Sequence, residues 1–401
     1  MVVVRTSARR PSTMLEVLFW CVAALIIYVY AGYPLLLVGL RALRGRRPVA
    51  QSLATPSVTL IISAFNEAQV IREKLANSLE LDYPPELLDI LVVSDASDDG
   101  TDDMVSGYDS PRVKLLRMSS RGGKTVGLNA AARAATGEVL VFSDANAIYE
   151  RATIRKLVRN FADPQVGGVV GESGYTRSDA AVDREESRYW SYETAIKVLE
   201  TDIGSVVGGD GAIYAVRRAL YEDMRADALS DFVNPLQTVR RGYRFVYERE
   251  ARCFEEGAEN FSKEFGRKVR IVNRAWRAAM NLRELANPLR FGVFAWQFIS
   301  HKLLRWLVGA MLIALLLLSI VLAPRGLIYT LALIGQLAFY LLALAGFALR
   351  RRGDLPTILN VPLYFCMVNY AALKGIYEAY AGKTYTTWTT VRAQQPEKKS
   401  Q

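Results

Sequence analysis

Two short apolar runs that each end in aspartate constrain most strongly what this chain can fold into. They are ILVVSD at 90–95 and VLVFSD at 139–144, and a third, less regular segment closes on Ser230-Asp231-Phe232. Apolar runs of this length, bounded by turn residues, read as buried strands. The segments 57–63 (SVTLIIS) and 113–118 read the same way. Between them lie helical patterns. Residues 66–79 place Val70, Ile71, Leu75 and Leu79 at helical spacing, 124–135 is Ala-rich, and a further helix is expected at 153–161. This β-α-β-α order predicts an α/β domain with a parallel, doubly wound sheet. In such sheets ligands bind in the crevice outside the carboxyl ends of the strands, where strand-end carboxylates converge. That arrangement suits a divalent cation with a phosphorylated ligand, with one carboxylate left as a base. Each aspartate alone equally fits a helix cap; three at strand ends favour a site.

Composition narrows the chemistry. Among 401 residues there is one histidine, His301, which excludes Ser-His-Asp triads, His-rich zinc sites and a histidine base in the soluble part. The work falls to carboxylates, lysine and arginine. The three cysteines, Cys21, Cys253 and Cys366, offer neither a disulfide framework nor a CxxC metal site, and a reducing cytoplasm is the expected compartment. A net charge of +10 points to anionic partners: nucleic acid, nucleotide phosphates or lipid headgroups.

Hydrophobic segments choose among those partners. The run 15–40 is long enough to cross a bilayer core of about 30 Å and exceeds a signal-peptide core of roughly 7–15 residues. Further apolar runs occupy 303–323, 326–349 and 358–380. The last contains Asn360, Asn369 and Lys374, so it is expected to face protein or the membrane interface as well as lipid. The expected layout is an N-terminal transmembrane helix at 14–43, an α/β domain at 50–260 and amphipathic interfacial helices at 261–300. Three C-terminal transmembrane helices follow at 301–381, then a tail at 382–401. Arg41, Arg44, Arg46 and Arg47 follow the first span and Arg350, Arg351 and Arg352 the third, which places the domain in the cytoplasm by the positive-inside rule. Arg5, Arg9, Arg10 and the basic tail pull the other way. A nucleic-acid binder would explain the charge but not the spans.

Four motifs in order carry a family resemblance: Ser63-Ala64-Phe65-Asn66-Glu67, SDASDDGT at 94–101, GGKTVGLN at 122–129 and FSDAN at 142–146. Together they resemble family 2 glycosyltransferases of the GT-A nucleotide-sugar fold. With the flanking spans, the chain is similar to the bacterial membrane-bound branch related to hyaluronan and poly-N-acetylglucosamine synthases. The resemblance implies that Ala64, Phe65, Asn66 and Glu67 hold the nucleoside, and that Asp95 contacts the nucleotide. It places Lys124 near the phosphates, with Asn129 in the same motif. Asp144 and Asn146 stand where the family has a metal-binding DxD; an amide oxygen in place of the second carboxylate still suits Mg²⁺ or Mn²⁺ and lowers the charge of the site. Asp231, in DALSDFVNPL at 227–236, matches the family's catalytic base, and Gly209 and Asp210, in VGGDGAIY at 207–214, match the acceptor-side loop.

One motif departs from the family. Processive synthases carry QxxRW on an interfacial helix; here the stretch is Arg267-Lys268-Val269-Arg270-Ile271. Arg270 matches the arginine, Arg267 replaces glutamine, and Ile271 replaces the tryptophan that would stack on a sugar. The resemblance implies that Arg267 and Arg270 reach the donor diphosphate, and Trp276 is a substitute for the missing tryptophan in contacting acceptor. Val269, Val272, Trp276 and Met280 form an apolar stripe with Arg274 and Arg277 among the surrounding cations, a pattern expected to lie on anionic lipid. The implied function is an inverting, metal-dependent transfer from a nucleotide sugar, UDP-linked, to a polysaccharide or glycolipid acceptor at the inner membrane. Single-sugar transfer to a polyprenyl-linked acceptor is the enzymatic alternative, and a non-catalytic membrane scaffold is the alternative of another class.

Overall fold

The computed structural model describes residues 11–176, 181–256, 261–350 and 355–387; Arg5, Arg9, Arg10, Arg351, Arg352 and the tail from 388 lie outside them. The chain opens with α1 (Pro11–Ile27) and α2 (Tyr33–Arg44), joined by a π-helical turn at Tyr28–Gly32. The α/β domain then runs β1 (Val58–Ala64), α3 (Ile71–Leu79), β2 (Leu88–Ser94), α4 (Thr101–Ser106), β3 (Val113–Arg117) and α5 (Lys124–Ala134). Next come β4 (Val139–Asp144), β5 (Ile148–Tyr149), α6 (Thr153–Val158), β6 (Val166–Thr176), α7 (Ala181–Ile203) and β7 (Tyr214–Arg217). It closes with α8 (Ser230–Arg240) and β8 (Arg244–Glu256). Six helices follow: α9 (Phe261–Asn281), α10 (Pro288–Phe291), α11 (Val293–Gln297), α12 (Leu304–Leu322), α13 (Leu327–Leu349) and α14 (Thr357–Tyr380).

One eight-stranded sheet has the order β3-β2-β1-β4-β7-β6-β8-β5. Every residue of β1 is buried, because side chains alternate between two covered faces. Leu60 and Ile62 pack on one side with Ile71 and Leu75 of α3. Ile61 packs on the other with Leu128 of α5, Leu140 and Phe142. The parallel register pairs Ala64 with Ser94 and Ser63 with Asp144. Asp95, one residue past β2, and Asp144 therefore emerge at one edge.

The expected all-parallel sheet holds only for β1 to β4. β7 pairs antiparallel with β4 and with β6, while β6 and β8 pair parallel. The physical reason lies in the loop before β7: it sits at the carboxyl edge of β4, so β7 starts there and must run away from it. A second correction concerns Asp231. It occupies the first turn of α8 rather than a strand end, and the third acidic strand end is Glu255 of β8, paired with Tyr175 of β6.

Three helical stretches among the described residues are long and apolar enough to cross a membrane: Thr13–Arg44, Val293–Arg325 and Leu327–Leu349. α14, expected as a further span, is not one of them. It threads between the others at close quarters. A Cβ on Gly309 of α12 would meet the Asn369 carbonyl at 2.8 Å, and one on Gly346 of α13 the Leu359 carbonyl at 2.9 Å. At Gly375 of α14, a Cβ would meet the Val269 carbonyl of α9 at 2.7 Å. Small residues let helix backbones approach in this way.

Candidate active site

The loop after β1 is tied to the loop after β2. Asn66 Nδ2 donates to Asp98 Oδ1 (2.7 Å), and the Asp98 amide returns a bond to Asn66 Oδ1 (3.0 Å). The Glu67 amide donates to Thr101 Oγ1 and the Ala68 amide to Asp99 Oδ2. Asn66 (φ 56°) and Ala96 (φ 57°) are the two non-glycine residues with positive φ among the described residues. Such backbone costs about 1–3 kcal/mol and clusters at functional sites. Phe65 lies beneath the Arg121 guanidinium, 3.8 Å from ring centroid; Arg121 was not singled out from sequence. Ala64 ends the buried strand.

Asp95 is buried and accepts from the Gly122 amide (2.7 Å) and both ways from the Gly123 amide (2.9 and 3.0 Å). It thus holds the Gly-rich turn that starts α5. Gly123 has φ 93°, and the Thr386 carbonyl packs on it so closely that any Cβ would overlap. Both conditions require glycine. The segment just past α14 therefore lies over this turn, a feature that sequence reasoning missed because α14 brings it back from the far end of the chain. Asn129 bonds the Met224 backbone and the Tyr221 hydroxyl, so its role is to fix α5 against the approach to α8.

Lys124 is the centre of the site. Its ammonium pairs with Asp144, which also accepts from Ser63 Oγ (3.1 Å), and reaches the Gly211 carbonyl at 3.5 Å. A Cβ on Gly211 would lie 3.5 Å from Lys124 Nζ and 3.9 Å from Asp231 Oδ2, so both groups flank the same glycine. Burial raises the Asp231 pKa; Lys124 opposes that and Asp210 reinforces it. Asp231 makes no side-chain cap bond to α8, whose N-cap is Leu229. The capping reading therefore fails for it. The Gly209 amide donates to the Asp231 carbonyl (2.7 Å). Asp210 uses one carboxylate oxygen on Ser173 Oγ and the other on the Ala212 amide, which spends it on the loop itself. Glu255 joins the cluster: burial first, then Asp144 and Asp210, push its carboxyl up to about 8.

Asn146 lies in the same turn as Asp144, partly exposed. Among the described residues no group of three or more His, Cys, Asp and Glu is spaced to hold a metal. One carboxylate plus one amide oxygen nevertheless fits the habit of Mg²⁺, which is held by one or two protein oxygens with substrate phosphates completing the shell.

α9 differs from the expected lipid-facing helix. Arg267 makes a two-pronged ion pair with buried Glu264 (2.7 and 2.9 Å). Arg274 is itself buried, donating to Thr125 Oγ1 (2.9 Å) and the Ala228 carbonyl; burial first, then Arg270, pulls its pKa down to about 10. Arg277 pairs with Asp227 (3.0 Å). Its cations are spent on protein because α14 and α8 cover the helix. Burial first, then Arg267, pulls the Arg270 pKa down, while Asp144 and Tyr385 oppose that fall. Trp276 is buried against Trp306 and Tyr380, with ring centroids 6.2 and 6.3 Å away. A cavity of about 510 Å³ instead meets Ile271, Asp231, Gly209 and Trp306; Trp306 is an aromatic wall that lies outside the QxxRW-like stretch Arg267–Ile271.

Comparisons with known proteins agree with this geometry. Residues 59–225 match the model of glycosyl transferase family 2. A probable glycosyltransferase of Bacillus subtilis, YdaM, is 34% identical over 29% of this chain and 29% of its own length. A poly-beta-1,6-N-acetyl-D-glucosamine synthase of Staphylococcus aureus is 24% identical over 49% of each chain. The chain thus spans at most about half the length of these curated relatives. Among solved structures, the mannosyltransferase PcManGT of Pyrobaculum calidifontis, in complex with GDP-Man and Mn²⁺, superposes with a TM-score of 0.72 at 23% identity, covering 92% of this chain and 99% of its own. The likeness extends through the helices after the sheet, and the fold is the GT-A one. Over residues 59–225 the chain is thus similar to glycosyl transferase family 2.

Proposed function

We propose that the protein is a membrane-bound inverting glycosyltransferase. It moves a sugar from a nucleotide sugar, UDP-linked, to a carbohydrate or glycolipid acceptor during synthesis of an envelope or extracellular polysaccharide. The apolar helices hold it in the inner membrane with the α/β domain on the cytoplasmic face. One observation carries this reading. Asp231, a carboxylate with a raised pKa, stands between the phosphate-suited group Lys124, Asp144 and Asn146 on one side and a large cavity on the other. Donor and acceptor would approach the same base from opposite directions.

In the step itself Asp231 takes the proton of the acceptor hydroxyl while that oxygen bonds to the anomeric carbon. The bond from that carbon to the diphosphate breaks and the nucleoside diphosphate departs. Lys124 and Arg270 face the departing phosphates as fixed cations. Mg²⁺ or Mn²⁺ held by Asp144 and Asn146 would neutralise the same developing charge. A raised carboxylate pKa favours proton removal at neutral pH.

The test separates base from binding. Asp231→Asn should keep Mn²⁺-dependent UDP affinity while turnover falls by ~10²–10⁴-fold, the usual worth of general-base catalysis. Near-normal turnover in that variant would sink the assignment. Failure of the wild-type protein to bind UDP or GDP with Mn²⁺ would remove the donor reading altogether.

A further inference from the structure

We propose that Lys74, buried beneath the turn at 144–147, is a positioning residue that holds this turn ready for the divalent cation. The proposal rests on the reading of Asp144 and Asn146 as the protein ligands of that cation. The inward face of α3 is Ile71, Lys74, Leu75 and Ser78, so Lys74 stands where helical periodicity calls for an apolar side chain. It is 0% exposed. Taking an ammonium out of water is costly unless its partners compensate. A local rule broken at such a cost is expected at a functional site.

That ammonium is aimed at the turn and its frame. Lys74 Nζ donates to the Ala147 carbonyl and lies 4.0 Å from the centroid of the Tyr149 ring. The Ala147 amide donates to the Asp144 carbonyl (3.2 Å). One end of the turn is thus closed by its own backbone, the other is held by Lys74, and Asn146 lies between. Tyr149 is fixed as well: its hydroxyl meets the Phe142 and Ala212 carbonyls at 3.1 and 3.0 Å, and Asn77 exchanges two bonds with its backbone (2.8 and 2.9 Å). Burial pulls the Lys74 pKa down to about 7, while Cys253, Asp144 and Glu255 oppose that fall. A neutral donor would satisfy the Ala147 carbonyl at lower cost, so the charge has a second use. It lies under two carboxylates, Asp144 and Glu255, which disfavour one another. Partly exposed Lys124 offsets them from within the site, and Lys74 does so from the protein interior. Holding Ala147 fixes the backbone that carries Asn146 and restricts both ligands before the cation arrives. Groups behind the ligands tune metal affinity in this way.

Calorimetric titration of Mn²⁺ into the full chain in detergent, at saturating UDP, tests this with three variants. Lys74→Met keeps the length of the side chain but removes its charge and donor. Its Mn²⁺ affinity should fall about 10–100-fold, the usual effect of losing a group behind a metal ligand. Its melting temperature should stay close to that of the wild type, because the buried charge leaves together with its bond. Lys74→Arg keeps charge and donors in a larger side chain, so it should melt lower and retain Mn²⁺ affinity. Asn77→Ala, which releases Tyr149 instead, should also melt lower and retain it. UDP affinity measured in chelator should stay unchanged throughout. Undiminished Mn²⁺ affinity in Lys74→Met would overturn the inference. So would an equal loss in Asn77→Ala, the mark of general loosening, or in Lys74→Arg, which keeps the cation. If Lys74→Met aggregates, Lys74→Gln, equally uncharged, takes its place with the same expectation. Failure of the wild type to bind Mn²⁺ would end the metal reading of Asp144 and Asn146 itself, whereas an unaffected Lys74→Met would leave that reading standing.

Discussion

Lys124 shows how much one residue organises here, since Asp144, Asp231, Asp210 and Glu255 all feel its charge or share its neighbours. Four acidic side chains around one ammonium cannot all ionise cheaply, because like charges in a partly desolvated site disfavour one another. Glu255 bears the cost: burial, then Asp144 and Asp210, hold its carboxyl up near 8, while Lys124 and Arg267 pull the other way. An acid raised in the folded state binds its proton more tightly there than in the unfolded chain. Its stabilising contribution is complete below the unfolded value of about 4.5 and is lost as pH rises through about 8. Glu255→Gln removes that slope. The melting temperature of the variant, measured against the wild type in metal-free buffer, should therefore gain between pH 5 and about pH 8 and level off above that. A constant difference across that range would show that Glu255 is not the titrating group.

At the scale of elements, α9 and α14 decide whether the two halves of the site stay together. In the proposed arrangement α9 carries Arg270 to the donor side, while Ile271 lines the cavity and Gly375 fixes the distance between α9 and α14. Gly375→Leu forces the helices apart, and overpacking of this kind costs about 1–3 kcal/mol. The variant should melt several degrees lower in detergent and bind UDP less tightly. Gly335→Leu in α13, where a Cβ meets nothing within 4 Å, should do neither. Equal behaviour of the two variants would dissociate α9 from donor binding. The strands β1 to β4 and helices α3 and α5 were legible in sequence because their signals are local: an apolar run, an acidic end, a glycine pair before Lys124. β8 was not, since Arg244, Glu248, Glu250 and Arg252 interrupt its apolar pattern, and Glu255 reaches Asp144 only through the pairing of β8 with β6. The arginines of α9 misled for a related reason. Composition reads a basic amphipathic helix, but the acceptors that consume those charges, Glu264, Asp227 and the Ala228 carbonyl, include groups brought in by other elements.

At the scale of the whole molecule, charge couples the first apolar stretch, Thr13–Arg44, to the α/β domain. Arg41 pairs with Asp202 (3.0 Å), and the Arg47 amide donates to the Asp202 carbonyl (2.6 Å). The basic flank used in the positive-inside argument is thus bound to the domain itself, and in the proposed arrangement the end of α2 and the domain share one side of the membrane. From that side α12 leaves, a short turn at Ala323–Arg325 reverses the chain, and α13 returns. Arg350 then lies over the ring of Phe261 at the start of α9. α14 touches the returning end of α13 at Gly346, the first turns of α12 at Gly309, and α9 at Gly375, all on the side of the domain. In the proposed arrangement it runs along the interface and delivers Thr386 to the Gly122-Gly123 turn. This removes the conflict raised by a basic tail, because only Thr13–Arg44 and the α12–α13 pair need cross. Single cysteines introduced after replacement of Cys21, Cys253 and Cys366 test the arrangement in intact cells with an impermeant thiol reagent. Arg325→Cys should label without lysis, whereas Ser106→Cys in the domain and Ala381→Cys after α14 should label only once the membrane is opened. Labelling of Ala381→Cys from outside would make α14 a crossing helix and detach the Thr386 segment from the donor site. Labelling of Ser106→Cys would place the domain away from cytoplasmic nucleotide sugars and end the proposed function.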